Sequence, residues 1–434
     1  MLASKKYNNK KIAIYGMGLT GCSTAKKFKD LKANVICWDD NAKIRKKINK
    51  FKLDKFWLKA ESVDNIVISP GIDIENCNLK NYLKKNLSKI ITDLDLFFEI
   101  NKDKLIISVT GTNGKSTTCK IIEKILKVAN YNVSTVGNIG KPILSLPNLN
   151  KSNVFIIEVS SYQLQYSKTF RSKHAAILNI SPDHLDRHKN LKNYINIKSK
   201  IFFAQKKSDH AYINSSNKYT QKIKNIFKSK KIKSKLILVN KNKYNFFLKK
   251  IENSYFENNG NIENLAFAYA IVKNLKISDR IIIKALNKFK GLAHRQEIIH
   301  NRKRIVCIND SKATSFDASF QCLSSYTNIY WIVGGIPKDH DKFYLKKVKK
   351  NIKKAYIIGK QTSFFSRELK HQVPYLIAHD LRNAFKNICR DIKLNKNLKS
   401  TILLSPAAAS FDQFKNFETR GIFFKNLVKR NFNV

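Results

Sequence analysis

No stretch of this 434-residue chain holds the roughly 18–20 consecutive apolar residues that a membrane-crossing helix needs. Its first apolar run, Ile12 to Tyr15, is also too short for the core of a signal peptide, although the residues before it are basic. No membrane association is expected, and the default location is the cytoplasm. Cysteine is sparse and dispersed. Cys22, Cys37, Cys77, Cys119, Cys307, Cys322 and Cys389 form no CxxC pair, which argues for reduced thiols and against a zinc site or a disulfide framework. With 7 Pro and 14 Gly the chain has no long low-complexity tract, and no repeat of fixed period stands out. The last deficit is in acid, with 31 Asp+Glu against 83 Lys+Arg and a formal net charge of +52.

That excess invites a nucleic-acid reading, in the form of a basic ATPase. The lysines, however, are spread over every segment beside abundant Asn, Ile and Phe, as an A+T-biased codon supply would leave them on solvated faces. No arginine-rich stripe or interleaved aromatic platform accompanies them. No nucleic-acid partner is expected, and the charge can help attract polyanionic nucleotides. The most basic stretch, Lys222 to Lys235, reads as solvated surface.

Glycine, though scarce, sits in organised places. A short β-branched run, Leu105–Val109, precedes Gly111-Thr112-Asn113-Gly114, then Lys115-Ser116-Thr117. A helical pattern follows, with Ile121, Ile122, Ile125, Leu126 and Val128 on one face. A strand, a glycine turn and a helix start gather backbone N–H groups at one point, which is a place for phosphate. Lys115 would add a point charge to the β- and γ-phosphates, and the hydroxyl of Ser116 or Thr117 would ligate Mg²⁺. The strict P-loop pattern fails, because Val109 stands where it wants glycine.

Downstream, the strand Asn153–Ile157 ends at Glu158, where an acid following a phosphate loop would hold Mg²⁺. After a strand at Ala175–Ile180, Asp183, His184, Asp186 and His188 fall within six positions. The reading taken is one histidine touching a hard cation beside solvated loop side chains. By composition alone, Lys198 is one more lysine on a helix face. Asn261 reads as a helix N-cap, and Asn264, one turn in, could read a base edge.

The first segment opens with a strand, Ile12–Tyr15, running into Gly16, Gly18 and Gly21. A second strand, Asn34–Trp38, ends at Asp39, about 20 residues beyond the glycines as in dinucleotide-binding folds. Alone, this suggests an NAD-dependent oxidoreductase. A third strand, Asn65–Ser69, ends in Ser69-Pro70-Gly71-Ile72, a turn placed where such sheets bind ligands. Beyond Lys290–Arg295, strands at Arg304–Asn309, Asn328–Val333, Ala355–Ile358 and Thr401–Leu404 alternate with helical stretches. The expected fold is α/β in three domains: Rossmann-like over 1–92, a central P-loop-type ATPase domain over 93–291, and Rossmann-like again over 292–434.

Taken in order, GMGLTG, SPGI, TGTNGKST, GNIG, EVSSYQL, SPDHLDRH, the YxxxK around Lys198, the Asn261/Asn264 pair, AHR, NDSKAT and SPAAASFDQFKNFETRG resemble the motifs of the Mur ligases over nearly the whole chain. The last string resembles the member of that family that adds D-glutamate to UDP-N-acetylmuramoyl-L-alanine in peptidoglycan synthesis. Other Mur ligases and folylpolyglutamate synthases are the nearest alternatives.

The resemblance implies ATP as co-substrate, two Mg²⁺ ions, UDP-N-acetylmuramoyl-L-alanine and D-glutamate as substrates, and a monomer. The first domain would then bind UDP rather than NAD, through Gly18, Leu19, Thr20, Asp39, Ser69, Pro70 and Gly71, with Asn138 and His184 at the muramoyl end. ATP would meet Gly111, Thr112, Asn113, Gly114, Lys115, Ser116 and Thr117, with Asn264 at adenine, Arg295 at the phosphates and Asp310 at the ribose. Ser116 and Glu158 would serve one Mg²⁺, and His184 with a carbamylated Lys198 the other. Lys115, Lys198, His184 and Arg295 would be catalytic. Lys312, Thr314, Lys338, Ser410 and the Phe417 backbone would receive D-glutamate. One departure is Ile336, where similar enzymes can carry an acidic residue. The implied reaction passes through an acyl phosphate, with a hinge near Gly291–Arg295.

Overall fold

Runs of Ile, Val and Leu that are apolar on both faces form parallel strands covered by helices on either side. A computed structural model of the chain describes residues 2–48, 51–58, 63–137, 142–145, 153–257, 259–302, 304–338, 341–394 and 399–432. Three open sheets are built from them. In the first, β1 (Lys11–Tyr15), β2 (Asn34–Trp38), β3 (Asn65–Ile68) and β4 (Ile90–Ile91) run parallel in the order β2-β1-β3-β4. The second comprises β5 (Leu105–Thr110), β6 (Val133–Gly137), β7 (Val154–Glu158), β8 (His174–Ile177), β9 (His210–Asn214) and β10 (Lys235–Val239). Its order is β10-β9-β8-β5-β7-β6, again all parallel.

The third sheet has β11 (Glu297–Arg302), β12 (Ile305–Asn309), β13 (Ile329–Gly334), β14 (Ile352–Ile358), β15 (Tyr375–His379) and β16 (Ser400–Leu404) in the order β11-β12-β16-β13-β14-β15. Only the edge strand β11 is antiparallel to its neighbour. The chain divides into two compact units, Met1–Asn253 with Asn261–Phe289, and Ser254–Gly260 with Lys290–Val434.

The first unit holds the first two sheets on one continuous core. Ile12, Ile14 and Phe28 belong to it, as do Leu94, Leu96 and Phe97 of the helix Asp93–Ile100, and Ile106, Phe155 and Ile177. That helix starts at a capping box between Thr92 and Asp95. Asp95 Oδ1 also accepts from the backbone N–H of Lys168, Thr169 and Phe170 at 3.0, 2.7 and 3.1 Å and from the Ser167 hydroxyl at 2.9 Å.

Where sequence expectation and structure differ, the cause is local. Lys222–Lys235 is not simply solvated. A helix, Thr220–Ser229, buries Ile223 and Phe227 and exposes Lys222 and Lys228, and Lys235 begins β10. Asn261 is not an N-cap, because the helix Asn259–Asn274 starts two residues earlier. The strand expected over Ala175–Ile180 stops at Ile177, which leaves Leu178–Ile180 to form a turn. All seven cysteines are free thiols. Among the described residues, no helix is long and apolar enough to cross a membrane.

Candidate active site

In open parallel sheets, ligands bind beyond the carboxyl ends of the strands, where the strand order reverses. In the second sheet that point lies between β5 and β8, and the loop after β5 is Gly111–Gly114. Gly114 has φ +81, a left-handed conformation that admits a following helix, Lys115–Val128, without side-chain strain. A Cβ built there would lie 2.1 Å from Asn264 Oδ1, so the turn and the helix Asn259–Asn274 approach as only glycine allows. Thr118 Oγ1 donates to the same Asn264 oxygen at 3.3 Å. The other side of the loop is fixed by the turn after β8. Thr112 N–H donates to Asn179 O at 3.0 Å, and Asn113 N–H to Asn179 Oδ1 at 2.9 Å. Ser116 and Thr117 lie in the first turn of that helix, and both are buried.

Three charged side chains meet around this loop. Glu158, at the carboxyl end of β7 and 1% exposed, accepts a hydrogen bond from the Ser116 hydroxyl. Lys115 Nζ donates to Gly111 O at 2.9 Å and Thr112 O at 2.8 Å. Lys198 Nζ donates to the same Gly111 O at 2.9 Å and lies 4.7 Å from the Tyr194 ring centre. Lys198 is therefore not a surface lysine. It is 2% exposed, and burial, then the charge of Lys115, holds its amine well below the usual lysine range. Two cations on one carbonyl cannot both be fully charged cheaply, and the deeper one yields.

His184 follows on the turn beyond β8, in a left-handed conformation with φ +54. Its Nδ1 shares a proton with the Tyr162 hydroxyl at 2.9 Å, and its Nε2 is 3.4 Å from Asp183 Oδ2. His188, by contrast, is fully buried with Nε2 on the Ser161 hydroxyl at 2.9 Å, and burial lowers its pKa to about 4. It is a neutral packing residue. Among the described residues, no three His, Cys, Asp or Glu side chains are grouped to hold a metal. Asn138 lies outside the described residues.

The first sheet reverses its order at β1, and the turns after β1 and β3 flank that point. Gly16, at φ +89, leaves no room for a Cβ beside Ser69 and Ile72, and the Ser69 hydroxyl donates to Gly16 O at 2.5 Å. Gly18, Leu19 and Gly71 are exposed, with Thr20 and Pro70 half-buried. Asp39 is buried, and its carboxylate accepts from Met17 N–H at 2.6 Å and Asn41 N–H at 2.9 Å. This aspartate therefore clasps the glycine turn. Arg187, which sequence reasoning passed over, joins this turn to the His184 segment. Its guanidinium donates to Ile72 O and, at 2.9 Å, to Gln165 Oε1, 5.3 Å from the Tyr162 ring centre.

In the second unit, β12, β16 and β13 are adjacent, so the loops after them share one end of the sheet. Those loops carry Asp310, Lys312 and Thr314, then Ser410, then Lys338. Asp310 is buried on the Ser405 hydroxyl at 2.8 Å and the Cys322 thiol at 3.3 Å, and burial raises its pKa to about 6. Lys312 Nζ lies 3.8 Å from the Phe417 ring centre, and Ser410 is buried. Arg295 sits half-buried in a tight turn bridged to Leu292. Arg420 was also passed over, although arginine is the rarer cation in this lysine-rich chain. It is fully buried among the same loops.

Parallel sheets whose glycine turns open helices at their reversal points place the chain in the class of nucleotide-binding α/β proteins. Residues 109–282 match the Mur ligase middle domain. Over nearly its whole length the chain is similar to UDP-N-acetylmuramoylalanine–D-glutamate ligases. It is 37% identical to that of Rickettsia bellii, covering 98% of each chain, and 35% identical to that of Rickettsia prowazekii, covering 98% and 99%. Among solved structures, its fold is like that of MurF ligase from Thermotoga maritima in complex with ADP, with TM-score 0.56 at 14% identity over 99% and 98% of the two chains. It is also like UDP-N-acetylmuramate–alanine ligase from the same organism, with TM-score 0.52 at 15% identity over 98% and 99%. The chain belongs to the Mur ligase family, the ATP-dependent ligases of peptidoglycan precursor synthesis. The NAD reading of Gly16–Asp39 falls with that assignment.

Proposed function

We propose that this protein joins the amine of D-glutamate to the L-alanine carboxylate of UDP-N-acetylmuramoyl-L-alanine, using ATP and two Mg²⁺ ions, as a cytoplasmic monomer. The substrate choice rests on the full-length similarity to ligases of that name. The chemistry rests on one observation: Ser116, in the first turn of the helix after the glycine turn, paired with Glu158 at the end of β7, beside two lysines on that turn.

A free carboxylate does not react with an amine in water, because oxide is a poor leaving group. Transfer of the γ-phosphoryl of ATP to the carboxylate makes an acyl phosphate. The amine then attacks its carbonyl carbon, and phosphate departs from the tetrahedral adduct. The protein's part is positioning and charge neutralisation. The loop Gly111–Thr117 would hold the phosphates with Lys115, and Asn264 the adenine. Arg295 and Asp310 are assigned to phosphate and ribose by family resemblance. In the first sheet, Gly18, Leu19, Thr20, Asp39, Ser69, Pro70 and Gly71 would carry the UDP end, and Asn138 and His184 the muramoyl end. Lys312, Thr314, Lys338, Ser410 and the Phe417 backbone would take D-glutamate.

The oxygen donors of Ser116 and Glu158 suit a hard cation, and His184 with Lys198 would hold a second. An amine suppressed by burial can add CO₂, losing one proton to become a carbamate, which is an oxygen ligand. Bound Mg²⁺ would neutralise charge on the transferring phosphoryl group.

An amino-acid panel with ATP and UDP-N-acetylmuramoyl-L-alanine tests the proposal. Phosphate release is expected with D-glutamate alone, and equal release with L-alanine or L-lysine would overturn the substrate choice. A separate test addresses the turn. Gly114→Ala forces a Cβ against Asn264 in left-handed backbone, at a cost of about 1–2 kcal/mol. The expected result is a rise of about tenfold in the apparent KM for ATP, read by ATP titration, with a modest fall in melting temperature.

A further inference from the structure

Arg420 is 1% exposed, in the first turn of the helix Phe417–Phe432. Its hydrogen bonds go to neutral oxygens. Nε donates to Ser311 Oγ at 3.0 Å, and Nη2 donates to Ser311 O at 2.8 Å and to Ala408 O at 3.0 Å. Ser311 Oγ passes its own proton to Phe417 O at 2.9 Å. Burial lowers the guanidinium's pKa only to about 10, so it stays charged at neutral pH. A buried cation satisfied by neutral acceptors is costly to keep for stability alone.

Its two partner residues, Ser311 and Ala408, explain its place. Ser311 immediately precedes Lys312 on the loop after β12. Ala408 lies two residues before Ser410 on the loop after β16, and Phe417 supplies both a backbone carbonyl and the ring under Lys312 Nζ. One planar fork therefore ties the two loops that carry Lys312 and Ser410 to the helix start that carries Phe417, with the Ser311 hydroxyl as the bridge. Lysine offers a single point of charge and cannot span the same set.

We propose that Arg420 is a positioning residue for the amino-acid substrate, setting the loops that receive its carboxylates while touching neither ATP nor the reacting atoms. This rests on the reading that those loops bind D-glutamate. The same fork leaves a positive charge beneath them, which suits a doubly acidic substrate.

The test uses the full-length enzyme with Arg420→Lys and Ser311→Ala, and steady-state KM measured for each of the three substrates. Arg420→Lys should raise the KM for D-glutamate about 10- to 100-fold, the range set by losing charged hydrogen bonds. Ser311→Ala, which removes only the bridging hydroxyl, should raise it about three- to tenfold. In both, the KM values for ATP and the UDP substrate should stay within about twofold, a split that general loss of structure does not produce. If Arg420→Lys fails to fold, Ser311→Ala decides. An unchanged D-glutamate KM, or a parallel rise for all three substrates, overturns the proposal. Wild-type turnover with D-glutamate is the control that separates this outcome from failure of the substrate assignment.

Discussion

Lys115→Ala should lower ATP-dependent phosphate release by about 10²–10³-fold, the range seen when one preorganised charge is taken from a transition state. The lysine sits at the first position of the helix that follows the glycine turn, its Nζ folded over Gly111 O and Thr112 O. Neither contact is needed to hold the turn, which Asn179 and Asn264 fix from either side. Loss of the ammonium should therefore leave the melting temperature nearly unchanged while turnover collapses. Removing its charge also relieves Lys198, whose amine the Lys115 ammonium disfavours in charged form. The variant's Lys198 should therefore titrate at higher pH than in the wild type. Near-normal phosphate release from a folded Lys115→Ala protein would rule out the phosphate assignment.

Lys198→Ala should be as damaging, with a loss of about 10²-fold or more, for a different reason. This amine is buried beside the Tyr194 ring and shares Gly111 O with Lys115. As a bare amine it adds nothing to phosphate binding that Lys115 does not already supply. As a carbamate it would bring negative charge and oxygen ligands to the Mg²⁺ site. Wild-type protein equilibrated with ¹³C-bicarbonate should show a carbamate carbon resonance that is absent from Lys198→Ala. A folded Lys198→Ala enzyme with wild-type turnover, or no carbamate signal from the wild type, would remove the modification from the mechanism. Because burial holds the folded-state pKa of Lys198 well below the ordinary lysine value, the protein loses stability as pH falls from that ordinary value towards the folded-state one, since only the unfolded chain takes up the proton there. The alanine variant should consequently lose less stability on acidification than the wild type.

The strands with β-branched runs free of charge were legible from the sequence, and so were the glycine turns after β1 and β5. β2 falls at the residues expected of it, and β12, β13 and β16 within one residue at either end. The edge strands β10 and β15 were not. β10 opens on Lys235 and leaves Leu238 exposed, and β15 is mostly exposed, so neither carries the continuous apolar signal of a central strand. The polar residues of the candidate site divide the same way. Lys115, Ser116 and Glu158 lie in local patterns that name their chemistry, whereas Lys198 needed its burial to be seen. Asp39, whose spacing suggests a ribose ligand, spends its oxygens on Met17 and Asn41 N–H groups. Arg187 reaches Ile72 and Arg420 reaches Ser311, each more than 100 positions away in the sequence, and no local motif encodes such pairings.

The Asp95 carboxylate caps the start of the helix Asp93–Ile100 and gathers the backbone of Lys168–Phe170 at the same time, so one side chain ties the opening of the central module to a loop far along the sequence. Damage to that one side chain would release a helix start and a distant loop together.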